Sequence, residues 1–319
     1  MTSPAPKRQR IEDAPITRSN IWYDDGSVVL RAEKTEFRVH WGVLAQHSTF
    51  FHGLRGLPQP PDQPSVDGCP LVELQDDAVD VEFLLKALYT PTFLSQAALP
   101  LVAVGALIRL GRKYDFRDLL DSAIVRLTFE NPRTLEEYDT LATSAGAYKP
   151  TRILPYQGLT FDIISLVREN GILSALPSAY YRVAQTIPLI IDGMQRADGS
   201  VASLAPVDLR RCLLGREKLT HVQMQKGYAL GWYRSWCPGN NCTGSHCVTT
   251  RDARLQGYLD RPQLKALGLF IPTSIINNRF CDACKQGIEL LGIAGRTRTW
   301  DELPSFFDLP PWSELKDGL

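Results

Sequence analysis

RSNIWYDDGSVVLRAEKTEFRVHWGVLAQHSTFFHGL, residues 18–54, is the stretch whose reading decides the fold. Within it Val28 to Ala32 alternates weakly between apolar and polar positions, and Glu36-Phe37-Arg38-Val39-His40 alternates cleanly. Alternation of period two is the signature of strands with one buried face. The polar link Glu33-Lys34-Thr35 is short enough to close the two as an antiparallel hairpin. The period then changes. Val43, Leu44 and His47 suit helical spacing, and Ser48 is placed to cap a second short helix carrying Phe50, Phe51 and Leu54.

Working outward, residues 1–17 are rich in Pro, Ser, Lys and Arg without periodicity and read as a disordered basic tail. Lys7-Arg8-Gln9-Arg10 fits a nuclear import signal, although Glu12 and Asp13 offset its charge at once. From Leu57 to Pro70, LPQPPDQPSVDGCP carries five prolines, which predicts an exposed loop without helix or ladder. Leu71-Val72-Glu73-Leu74 reads as another strand. Asp76-Asp77 then caps a helix with Val79, Phe83, Leu84, Ala87 and Leu88 as its apolar stripe. Two more helices follow, one striped by Leu101, Val104, Leu107 and Ile108, the other by Phe116, Leu119, Leu120, Ala123, Ile124 and Leu127. Beyond Thr134 the pattern predicts helices near 134–147, 160–175, 178–195, 206–214, 217–236, 260–268 and 284–293, with no repeat period.

Three parts of this pattern resemble a known family, the BTB/POZ domains. Phe37, Val39, His40, Leu44, Ser48 and Phe51 follow its opening motif. The strand, Asp76-Asp77, helix, Leu88-Tyr89-Thr90 order is similar to its second block, and LIRLGRKYDFRDLLDSA, residues 107–123, to its closing helices. The tail LPSFFDLPPW, residues 303–312, resembles the ending of basidiomycete members among fungal BTB proteins. The resemblance implies an α+β fold: a BTB/POZ-like domain over 18–130, a small sheet flanked by helices, then a mostly α-helical extension. That extension divides into a helical domain, 131–236, and a Cys-containing helical region, 237–319. It also implies a non-enzymatic protein–protein interaction role with a homodimer face, where Trp41, Phe50 and Phe51 are the expected interface residues. Relatives that act as repressors hold a basic residue at the position of Trp41, so the pocket at the dimer seam is expected to be apolar here. A substrate adaptor of a cullin-type ubiquitin ligase is an alternative, but the hydrophobic-x-acidic motif of such members has no match before the third strand.

Composition excludes several classes. Lys plus Arg and Asp plus Glu are 35 each, so no global field draws the chain to nucleic acid or an anionic membrane. The N-terminus lacks an apolar secretory segment and no apolar run is long enough to span a bilayer, which predicts an intracellular protein of nucleus or cytoplasm. His40, His47 and His52 do not share a helical face at ligand distance, and neither G-x-S-x-G, a Walker loop nor H-E-x-x-H occurs. Gly292-Ile293-Ala294-Gly295, with Arg296 and Arg298 nearby, reads as a loop between helices. Tyr228, Trp232 and Trp236 lie on one helical face and read as core.

The cysteines are the remaining chemistry. All seven are expected to be reduced. Cys237, Cys242 and Cys247 are each separated by four residues, and Cys281-Asp282-Ala283-Cys284 supplies a tight C-x2-C hook. Two such pairs can give zinc its four tetrahedral donors. The predicted set is Cys237, Cys242, Cys281 and Cys284, with Cys247 as the substitute, and the metal's role would be structural. The competing reading is that these thiols pack as small hydrophobes. A third role follows from the first, that of a zinc-binding nuclear regulator.

Overall fold

A computed structural model describes residues 15–57, 62–141, 148–235, 242–260, 266, 268–269 and 279–317. They fall into two compact units, one reaching to Ile124 and one beginning at Val125.

The first unit is built on a five-stranded sheet. Its strands are β1 (Thr17–Trp22), β2 (Val28–Ala32) and β3 (Thr35–Val39), followed after the helices α1 (Trp41–His47) and α2 (Thr49–Arg55) by β4 (Ser65–Val66) and β5 (Cys69–Leu74). The order across the sheet is β1-β3-β2-β5-β4. The expected hairpin is present, with β2 antiparallel to β3 and Leu30 opposite Phe37. Glu33 takes the left-handed conformation in the connecting turn, φ 52°. Three features depart from the sequence reading. Thr17, assigned to the tail, opens β1, which pairs parallel with β3. The proline-rich segment does form a ladder: β4 turns into β5 at Asp67-Gly68, both at positive φ, as a tight hairpin requires. β5 then extends two residues ahead of Leu71 and pairs parallel with β2.

Four helices complete this region: α3 (Ala78–Tyr89), α4 (Pro91–Leu94), α5 (Leu101–Lys113) and α6 (Arg117–Glu130). Asp77 caps α3 by accepting the Val79 N–H at 2.7 Å. The buried stripe of α3 is Val81, Leu84 and Leu85, rotated from the expected one, and Val79 faces solvent. α5 is buried along most of its length because it packs against α3 on one side and carries Ala and Gly where α6 approaches. A Cβ at Gly111 would sit 3.0 Å from that of Leu120. Asp76 receives Lys113 at 2.7 Å and the Tyr114 hydroxyl, joining the second and third motif blocks.

The second unit is helical, with α7 (Leu135–Leu141), α8 (Leu159–Glu169), α9 (Leu176–Val183), α10 (Ile187–Asp192), α11 (Pro206–Val222), α12 (Trp232–Ser235), α13 (Cys247–Leu259), α14 (Asp282–Asp301) and α15 (Leu303–Phe306). The single helix expected over 178–195 is broken into α9 and α10, and its last two residues belong to a two-strand ladder, β6 (Met194–Gln195) with β7 (Val201–Ala202). The helix expected at 206–214 and the start of that expected at 217–236 are one helix, α11, which runs through Gly215 and stops at Val222; α12 is a separate short helix at the far end. α13 occupies sequence read as loop, whereas most of the helix expected at 260–268 lies outside the described residues. Gly292 and Gly295 are inside α14, so the expected loop there is helix. A Cβ on Gly295 would collide with the backbone of Tyr228 and Ala229: the glycine serves packing, not a turn.

The 303–312 tail is tied to its own unit. Trp312 stacks on Trp300 with ring centres 5.4 Å apart and donates its indole N–H to the Trp300 carbonyl at 2.8 Å. Phe307 is fully buried against Tyr180. Asp317 accepts from both the N–H and the hydroxyl of Ser174. Among the described residues no helix is long and apolar enough to cross a membrane.

Candidate functional site

Two places gather the residues singled out above. The first is the end of β3 and the helices that follow. His40 leaves the strand with its N–H donated to the Tyr89 hydroxyl at 2.8 Å, its Nδ1 3.3 Å from the same oxygen and its Nε2 3.2 Å from Asp25. Tyr23 stacks on Tyr89 with centres 4.8 Å apart, and burial raises the Tyr89 phenol above its ordinary range. His40 thus packs and hydrogen-bonds at the end of the strand. The neighbourhood of Trp41 is not wholly apolar, however, since the Asp25–His40 pair lies beside it.

The three expected interface residues separate. Trp41 is half-buried, its ring edge-on to Phe51. Phe50 stands 45% exposed beside Tyr114. Phe51 is 0% exposed, enclosed by Trp41, Phe50, Tyr114 and Phe116. That burial corrects the assignment of Phe51 as an interface residue. Ser48 explains it: its hydroxyl accepts the Phe51 N–H at 3.0 Å and donates to the Tyr114 carbonyl at 2.5 Å, which turns Phe51 inward.

The second place is a thiol cluster in the helical unit. The sulfurs of Cys242, Cys247, Cys281 and Cys284 all lie within 4.8 Å of one another. Cys247 is the first residue of α13, and Cys281 caps α14 with Cys284 one turn inside it, so two helix N-termini converge on the four sulfurs. Cys247 and Cys284 are buried, whereas Cys242 and Cys281 are half-exposed with sulfurs 3.8 Å apart. The Cys281 N–H points at the Cys247 sulfur, 3.3 Å away. The Cys284 N–H pulls the Cys281 thiol down to about 5, and burial pushes Cys247 and Cys284 up. Beneath them lies a small core of Leu230, Trp232, Tyr233, Tyr258, Phe280 and Ile288.

Of the predicted metal set, Cys242, Cys281 and Cys284 meet, and the substitute Cys247 supplies the fourth sulfur. Cys237 lies outside the described residues, as do Trp236 and the Lys7–Arg10 segment. Trp232 and Tyr228 are buried as expected of core, but Tyr228 sits in a turn ahead of α12 rather than on its face. No sulfur pair here is bonded as a disulfide.

The sheet-and-helix unit that carries these residues was compared with known protein families. The BTB/POZ domain model matches residues 24–128. Residues 24–128 thus form a BTB/POZ domain, a type of module that mediates protein–protein interaction and often dimerises. No curated protein matches the chain.

Proposed function

We propose that this is a non-enzymatic interaction protein that self-associates through its BTB domain. The observation carrying the reading is the BTB/POZ match over the sheet-and-helix unit. It is supported by the aromatic surface of α1 and α2, where Phe50 stays exposed beside half-buried Trp41. Exposed aromatic rings are costly to leave in water and are enriched at interface cores. The cysteine cluster would serve this role as a structural metal site rather than as chemistry.

Light scattering tests it. The wild type should show twice the 35.7 kDa chain mass, and Trp41→Arg should return it to the single-chain value. A wild type that is monomeric at all concentrations removes the self-association reading. Co-purification with a cullin would assign the ubiquitin-ligase adaptor role in its place. Import of a reporter by residues 1–14, lost on neutralising Lys7, Arg8 and Arg10, would favour the zinc-binding nuclear regulator; a reporter left in the cytoplasm counts against it.

A further inference from the structure

We infer that Cys242, Cys247, Cys281 and Cys284 form a closed four-thiolate site for one zinc ion, and that Cys237 takes no part in it. The inference deepens the reading of the thiol cluster as a structural metal site and rests on it. A tetrahedron with Zn–S bonds of about 2.3 Å has sulfurs about 3.8 Å apart. Cys242 and Cys281 already stand at that separation, and no pair exceeds 4.8 Å. Contraction by at most about 1 Å would close the shell. A fifth sulfur has no vertex left to occupy.

Charge supports the same set. Four thiolates around one Zn2+ leave the centre with a net charge of minus two. The N-termini of α13 and α14 place partial positive charge and free N–H groups at that point. The Cys281 N–H already donates to the Cys247 sulfur, as an outer-shell bond to a ligand should. Thiolates in a tetrahedral S4 arrangement select zinc or iron over harder cations. Four protein sulfurs fill a tetrahedral shell and leave no vertex for water or substrate, the pattern of a structural zinc site.

Gly244 is the local reason the set is Cys242 with Cys247. Between the two cysteines the chain must fold back against the sulfurs, and a Cβ at Gly244 would lie 2.6 Å from Cys247 Sγ and 3.2 Å from Cys281 Cβ. Only a residue without a side chain leaves that space to the sulfurs. Closing the shell would join the starts of α13 and α14 over the core that contains Trp232 and Phe280.

The test uses the full chain purified without added metal, then reconstituted with Zn2+ or Co2+. One zinc per chain by elemental analysis is expected, released in step with mercurial modification of four thiols. Co2+ should give the intense visible bands of a tetrahedral tetrathiolate. Cys237→Ser should keep both signals, and Cys247→Ser should lose or shift the cobalt bands. No metal uptake by the folded wild type overturns the metal reading itself. Metal retained by Cys247→Ser but lost by Cys237→Ser overturns the ligand set alone, and a red iron-loaded protein overturns the choice of zinc. Circular dichroism of each variant guards against misfolding, and the cobalt spectrum of the wild type decides the donor type without any variant.

Discussion

Replacing Gly244 by alanine removes no sulfur and should still cost the site its affinity. The added Cβ would sit 2.6 Å from Cys247 Sγ, against ordinary contacts of about 3.5–4.0 Å, so one of the two must move by about 1 Å. Cys247 cannot yield freely: it is 1% exposed and starts a helix. Cys281 blocks the other side at 3.2 Å. Disturbing the support of a ligand typically weakens metal binding about 10–100-fold, or about 1.4–2.7 kcal/mol. An opposite term exists. Gly244 is not at positive φ, so alanine would restrict the unfolded chain and favour folding by about 0.4–1 kcal/mol. The steric term is larger where metal is bound and has more room to relax where it is not. The variant should therefore lose zinc affinity without losing metal-free stability. Competition with a chromophoric chelator measures the first and urea unfolding the second. Gly257→Ala is the control: it lies in α13 with nothing within 4 Å of the added Cβ, so it should leave affinity unchanged. If Gly244→Ala binds zinc as the control does, the packing argument for the ligand set is wrong.

Other substitutions separate packing from surface. Phe51→Ala should destabilise the BTB unit by about 3–5 kcal/mol in urea unfolding, while Phe50→Ala should cost about 1 kcal/mol or less and instead lower the dimer fraction in light scattering. Gly215→Ala would push a Cβ into the ring of Phe307 and to 3.1 Å from the Phe306 carbonyl. The clash, about 1–3 kcal/mol, should outweigh the roughly 1 kcal/mol that alanine gains in a helix, and Phe307→Leu in the same chain should restore part of the loss. Burial raises the Cys212 thiol, so the folded chain holds its proton to higher pH than the unfolded chain. Its contribution is whole below about pH 8.5 and falls above that by at most about 1.4 kcal/mol per unit. Cys212→Ala should flatten the alkaline decline in urea midpoint, and an unchanged slope would contradict the assignment.

Part of the sheet was legible: Phe37 and Val39 of the alternating run are buried, whereas β2 is buried on both faces and so alternates only weakly. The alternation at Glu36 to His40 and the Ser48 cap translate directly into β3 and α2. β1 was not legible, since its residues are mostly exposed or half-buried and its pairing partner is β3, across the intervening β2. The proline count in Leu57 to Pro70 hid a hairpin signalled by Asp67-Gly68, two residues that tolerate positive φ. Glycine misled in the opposite sense. At Gly215, Gly292 and Gly295 it reads as punctuation, yet each is inside a helix. Gly215 and Gly295 are there because another element approaches too closely for a Cβ, a contact no window of sequence displays.

The thiol site shows the same limit in its smallest form. Cys242 has a cysteine five positions away on each side, so spacing alone treats Cys237 and Cys247 as equivalent partners. Tertiary structure breaks that symmetry. Cys247 is the first residue of a helix whose N-terminus faces that of α14, and this brings its sulfur to the C-x2-C hook. The hook itself was readable because Cys281 and Cys284 are one helical turn apart. The fourth donor was not, because its position depends on where α13 begins, and that start follows a glycine-containing segment with no periodicity of its own. A C-x4-C pair thus acquires a partner only when a helix start orients one of its sulfurs, and here that is the pair Cys242 and Cys247.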